Sequence, residues 1–208
     1  IKNAKLPIVD IGAHVGFFSI FSLCLNSNVL IYSIEPEKNN FELLEQNKNE
    51  NNFSNIKTFK CAIGKQTDLE GKLLLAEDSI NHNLKIENKK LKTKKGEFIE
   101  NKTQSVRIFS LKDFLDNNKI DKVSLVEMDI EGGEYDVLEG LEENDFLRIG
   151  AFVMEYHKLN LKTEKFKFKN EKILEELLRN NGFSVQIFPS KFEDDLGFIV
   201  AVNKRFKQ

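Results

Sequence analysis

The stretch Val9-Asp10-Ile11-Gly12-Ala13-His14-Val15-Gly16-Phe17-Phe18-Ser19 constrains this chain more than any other. It reads as a short apolar strand, Leu6 to Ile11, running through a glycine-spaced turn into a helix. Phe17, Ile20, Phe21 and Cys24 follow the i, i+3, i+4, i+7 spacing of a helix with one buried face. In an open α/β sheet, ligands bind outside the carboxyl ends of the strands, near where the strand order reverses. A strand–glycine turn–helix unit puts free backbone N–H groups and bare Cα surface at that place. Asp10 sits at the strand tip, where a phosphate would gain nothing from negative charge. The expectation is a ligand with a cationic end.

The glycines, Gly12 and Gly16, do not form the G-x-G-x-x-G fingerprint of dinucleotide folds. A second acid strengthens the reading. Val29 to Ile34 is a continuous apolar strand ending in Glu35-Pro36. The gap from Gly16 is roughly the ~20 residues at which an acid meets ribose hydroxyls in nucleotide-binding folds. Pro36 restricts Glu35 to an extended conformation and suits the first turn of a following helix. A solvated acid favoured by the helix dipole would carry the same residues.

Four blocks now line up in order: Asp-Ile-Gly-Ala-His-Val-Gly-Phe-Phe-Ser, Ile-Glu-Pro, Cys-Ala-Ile-Gly at 61–64, and Met-Asp-Ile-Glu-Gly-Gly-Glu at 128–134. Together they resemble the FkbM family of S-adenosylmethionine-dependent methyltransferases, and the last block is the most diagnostic. The resemblance implies an α/β fold of the Rossmann-like class I type. Its sheet is seven-stranded and mostly parallel, with a C-terminal antiparallel hairpin and helices on both faces. It also implies S-adenosylmethionine as cofactor, and methyl transfer to a hydroxyl of a sugar, glycan or small secondary metabolite. Asp10, Gly12, Ala13, His14, Gly16, Phe17, Glu35 and Pro36 would hold the cofactor, with Cys61, Ala62 and Ile63 bordering its adenine. Two departures stand out. His14 replaces a frequent Asn, and Glu127 stands where a Lys often precedes the last block, which changes the charge near the active site.

The acids of the strand tips supply the acceptor side. Val123 to Ile130 reads as the fourth parallel strand and Ile149 to His157 as the fifth. Residues two apart on a strand share a face, so Asp129 pairs with Glu131 and Glu155 with His157. Neighbouring strands lie about 4.8 Å apart, so the pairs can converge. Asp129 takes a shared role toward the methionine end or the acceptor. His157, with an ordinary pKa near neutrality, is the general-base candidate. Glu134 reads equally as a helix N-terminal acid, and Glu131 as a cap of the turn. Three carboxylates and a histidine could also hold a divalent metal. Their spacing is no recognised metal motif, so no metal ligand is assigned.

The 208 residues suit one α/β domain, 1–208, with a variable loop or hairpin at about 65–105 rich in Lys, Glu and Asn. The chain starts at Ile1, where members of the family usually have sequence upstream. A formal charge of −2 gives no electrostatic case for nucleic acid, and no apolar run approaches a membrane span. Cys24 and Cys61 fall in apolar elements and read as buried reduced thiols of a cytoplasmic protein. The rivals are an NAD-dependent oxidoreductase, which lacks its third glycine here, and a non-catalytic nucleotide-binding module. A nucleobase methyltransferase would carry an Asn/Asp-Pro-Pro-aromatic segment where this chain has Asp129-Ile-Glu-Gly.

Overall fold

The computed structural model describes residues 1–67, 70–74, 83–85, 103–159 and 169–207. Among them, strands β1 (Ile8–Ile11), β2 (Ile31–Ile34), β3 (Ile56–Phe59), β8 (Leu125–Met128), β9 (Ala151–His157), β10 (Phe183–Pro189) and β11 (Leu196–Asn203) form one sheet. Its order is β10-β11-β9-β8-β1-β2-β3. β11 runs antiparallel to both its neighbours, and the other pairings are parallel. The predicted fold class is therefore the observed one. Strand order reverses between β1 and β8, and that crevice is where such sheets bind ligands.

Every residue of β1 and β2 is buried, as expected of strands covered on both faces. Alternation sorts their side chains. Val9, Ile11, Tyr32, Ile34, Val126 and Met128 face the larger core. Helices α3 (Leu111–Asn117), α4 (Glu134–Glu139), α5 (Glu143–Phe146) and α6 (Glu171–Asn180) pack Leu115, Leu138, Phe146 and Leu178 into it. Ile8, Ile31 and Leu125 face the other way, toward Phe18, Ile20 and Leu23 of helix α1 (Phe17–Leu25). Helix α2 (Lys38–Glu50) follows β2 and is capped by Glu37, whose side chain accepts the N–H of Asn40. Ser110 caps α3, its hydroxyl accepting the N–H of Asp113.

Three expectations are corrected. The face of α1 carrying Phe17, Phe21 and Cys24 is exposed, with Phe17 at 78%. Ser19, Ser22 and Leu23 are buried instead. The physical reason is polar: the Ser19 hydroxyl binds both Asp10 and Ser33 on the sheet, and that fixes the rotation of the helix. Cys24 is thus an exposed thiol, and only Cys61 is buried. The spacing of Ile173, Leu174, Leu177 and Leu178 predicts one buried stripe on α6, yet Ile173 is 37% exposed and the burial rests on Leu174 and Leu178.

Described residues of the 65–105 region belong to a second sheet. Strands β4 (Ala62–Gly64), β5 (Glu70–Leu74), β6 (Asn83–Lys85) and β7 (Thr103–Ser110) form it, in the order β4-β7-β5-β6. The Lys-rich stretch from Ile86 to Gly96, within the predicted loop or hairpin, lies outside the described residues.

Candidate active site

A cavity of about 280 Å³ opens at the reversal of strand order, near the lower end of the ~300–1,000 Å³ usual for small-molecule sites. Gly12 and His14 after β1, Ile34 and Glu35 at the tip of β2, and Asp129 and Glu131 after β8 line it. Gly12 has φ 87°, and a Cβ there would run into the carbonyl oxygen of Asp129. That glycine is what lets the tips of β1 and β8 close against each other. Gly16, at φ 95°, lies against Leu44 rather than on the cavity wall.

Glu35 is the most constrained group of the wall, 5% exposed. Its Oε2 accepts the N–H of His14 at 2.9 Å and its Oε1 the N–H of Glu37 at 2.7 Å. Burial pushes its carboxyl up to about 7 despite those two donors. His14 adopts φ 49°, which turns its N–H toward Glu35, and its Nε2 is buried without a partner among the described residues.

Asp10 is buried behind the wall rather than on it. Its neighbour in register on β8 is Glu127, to which it is hydrogen bonded. Two carboxyl groups in contact hold a proton between them. Burial and the negative charge of Asp10 both raise Glu127. The departure at Glu127 therefore sets a carboxyl group beside Asp10.

At the other end, β8 stops at Met128 and the chain turns through Glu131 at φ 53° and Gly132 at φ 96°. Glu134, fully buried, closes this turn, its Oε1 accepting the N–H groups of Gly132 at 3.2 Å and Ile130 at 3.4 Å. The same oxygen lies 3.2 Å from Nδ1 of His157 on β9. Nε2 of His157 lies 3.5 Å from Glu131 and 3.8 Å from Glu155. Burial alone would push the imidazole down. The Glu134 hydrogen bond and the charges of Glu134, Glu131 and Asp129 outweigh it and raise His157 to about 9. Burial raises Asp129 and Glu155, and takes Glu131 to about 7.

The family described as Methyltransferase FkbM domain matches residues 10–185. The chain belongs to the FkbM methyltransferase family. It is 27% identical over 210 residues to Methyltransferase 1 of Beauveria bassiana (strain ARSEF 2860), covering 95% of this chain and 80% of that protein. Among solved structures it resembles an FkbM methyltransferase from Methylobacillus flagellatus KT, with TM-score 0.57 and 14% identity. That likeness covers 94% of this chain, which spans only 43% of the other. The N-terminal domain of EvdMO1, solved in the presence of SAH and D-fucose, matches with TM-score 0.51 and 11% identity over 97% of this chain and 76% of that one.

In this FkbM fold the structure places Gly12, His14, Phe17, Glu35, Pro36, Cys61, Ala62, Asp129 and Glu131 on the cavity. Asp10, Ala13 and Gly16 stand behind it, and Glu155 and His157 beside Glu131. Sequence reasoning missed Asn40 and Leu73 on the wall. Asn40 is buried on α2, where a polar residue on the inward face was the available signal. Glu134 was seen only as a helix-start acid. Nothing in its spacing announces its bond to His157.

Proposed function

We propose that this chain transfers a methyl group from S-adenosylmethionine to a hydroxyl of a sugar, a glycan or a small secondary metabolite. Glu35 carries the reading. A buried carboxylate fixed by two backbone donors on a cavity wall keeps further lone pairs for a pair of hydroxyls, which is what a ribose presents. Around it, Ile34, Cys61, Ala62 and Ile63 offer an apolar wall for adenine, while Asp129 lies where the cationic methionine end would come. The cofactor, when bound, supplies a methyl carbon whose bond to sulfur breaks, leaving its electrons on sulfur, as the acceptor oxygen attacks.

The chain's own work is to place that oxygen and to receive its proton. Asp129, Glu131 and Glu155 offer carboxylates near the cavity for that proton, whereas His157, raised to about 9, already holds a proton at neutral pH and is the weaker base candidate; Glu134 holds its imidazole in one orientation. Asp10 serves this site indirectly, through Ser19 and the strand tip. A sugar is the acceptor class favoured by the EvdMO1 structure, which pairs a similar fold with SAH and D-fucose. We read the protein as cytoplasmic on its free cysteines. Among the described residues, no helix is long and apolar enough to cross a membrane.

Calorimetric titration with S-adenosylmethionine, with NAD as control, tests the reading. Micromolar binding of the first and none of the second is expected. Binding of NAD alone would overturn it.

A further inference from the structure

Asp129, Glu131 and His157 each turn one ligand atom into a common space, and these atoms all lie within 4.8 Å of one another. A six-coordinate divalent ion with bonds near 2.1 Å holds adjacent ligand atoms about 3 Å apart. The His157–Glu131 separation of 3.5 Å is already close to that. A ligating histidine almost always gives its other ring N–H to a carboxylate, which fixes the tautomer and aims the lone pair. Glu134 is placed for that, 3.2 Å from Nδ1 and itself held by the backbone of the 130–132 turn. Nε2 is then the atom that faces Glu131.

Charge gives a second, separate reason. Glu131, Glu134 and Glu155 converge on the same imidazole, with Asp129 beside them. Among the described residues His157 is the only ion-pair partner of those three glutamates. Glu134 is fully buried, and its second oxygen has no partner there. A corner with four carboxylates and one imidazole is short of positive charge.

We propose that Asp129, Glu131 and His157 bind a divalent cation of the Mn²⁺ class, which holds the hydroxyl acceptor. Two carboxylate oxygens and one imidazole nitrogen suit such an ion and leave positions open for the acceptor oxygen and water. Binding takes the place of the Nε2 proton, which is released to solvent. The bound hydroxyl gives up its proton more readily. Glu155, outside the ligand set, receives that proton, and the oxygen keeps the electron pair that forms the bond to the methyl carbon. The cation changes neither oxidation state nor the cofactor's chemistry.

This rests on the methyl-transfer reading, and the test separates the two. The full chain, stripped with chelator, is titrated with Mn²⁺ alone and followed by electron paramagnetic resonance of free Mn²⁺. S-adenosylmethionine binding is measured in parallel by calorimetry. One equivalent of Mn²⁺ should bind, at least tenfold more weakly in both Glu131→Gln and His157→Gln, while Glu35→Gln keeps Mn²⁺ and binds cofactor at least about tenfold more weakly. A wild-type chain that binds cofactor but no Mn²⁺ overturns the cation site and leaves methyl transfer standing. So does Mn²⁺ affinity unchanged in both ligand variants. Mn²⁺ binding without cofactor binding supports the cation site and overturns the cofactor reading instead.

Discussion

Replacing Glu35 by Gln separates what the site needs from what the fold would prefer. The carboxyl is pushed up to about 7 from an ordinary 4.5, chiefly because burial disfavours the charge. Between those values the folded chain keeps a proton that the unfolded chain has released. Stability therefore falls as pH climbs through that window and is flat with respect to this group above about 7. At about 1.4 kcal/mol per pH unit the window is worth about 3 kcal/mol. The amide of Glu35→Gln carries no charge and does not titrate, but it has one acceptor oxygen for two backbone donors, so one buried N–H loses its partner at a cost of about 1–3 kcal/mol. The variant should therefore be the less stable protein near pH 4.5 and gain on wild type as pH rises. Between pH 4.5 and 8 the difference between the two should shift by about 3 kcal/mol in favour of the variant. Urea unfolding followed by far-ultraviolet circular dichroism gives the comparison in a chain with no Trp. Affinity for S-adenosylmethionine should move the other way. Hydrogen bonds to a charged acceptor are worth about 1.5–3 kcal/mol, so the variant should bind roughly 10- to 150-fold more weakly at pH 8. A variant whose stability falls between pH 4.5 and 7 as steeply as that of wild type would refute the reasoning.

The other expectations are simpler. Gly12→Ala forces a left-handed Ala, about 1–2 kcal/mol, and drives its Cβ into the Asp129 carbonyl, about 1–3 more; a loss of about 2–5 kcal/mol should appear in urea unfolding. Glu127→Gln keeps a donor for the buried Asp10, whereas Glu127→Ala leaves that carboxylate short of a partner and should be less stable than Gln by about 1–3 kcal/mol. His157→Ala should leave S-adenosylmethionine affinity within about twofold and lower turnover, while Glu35→Ala lowers affinity. Equal loss of affinity in both would sink that division of roles.

The two glycine-bounded strand tips and their acids were legible because they are local: a strand, a turn and a helix read from adjacent residues. Order along the sheet was legible through the family blocks. The facing of α1 was not. Periodicity finds an apolar stripe but not the direction it points, and here two buried hydroxyl bonds from Ser19 outrank Phe17 and Phe21. Phe17, left outside, lines the cavity mouth instead. The second sheet was missed for a related reason. β5 and β6 are short, and the pairing of β5 with β7 that joins them to the sheet depends on residues more than twenty positions apart. No window that short can see it.

Glu134 shows the limit most clearly, because its role joins three things the sequence keeps separate. It starts a helix, it accepts the N–H groups of the turn that carries Glu131, and it binds the histidine of the next strand. Each bond alone has an ordinary explanation. Together they mean that the position of Glu131 and the orientation of His157 are set by one buried carboxylate, so the two cannot move independently. A cluster of acids on a loop would splay apart under its own repulsion. This one is held together through a side chain that itself stands off the cavity wall. The reactive end of the site is therefore built from the turn after β8 as a unit, and its geometry should survive changes in the acceptor-facing residues better than any change at Glu134.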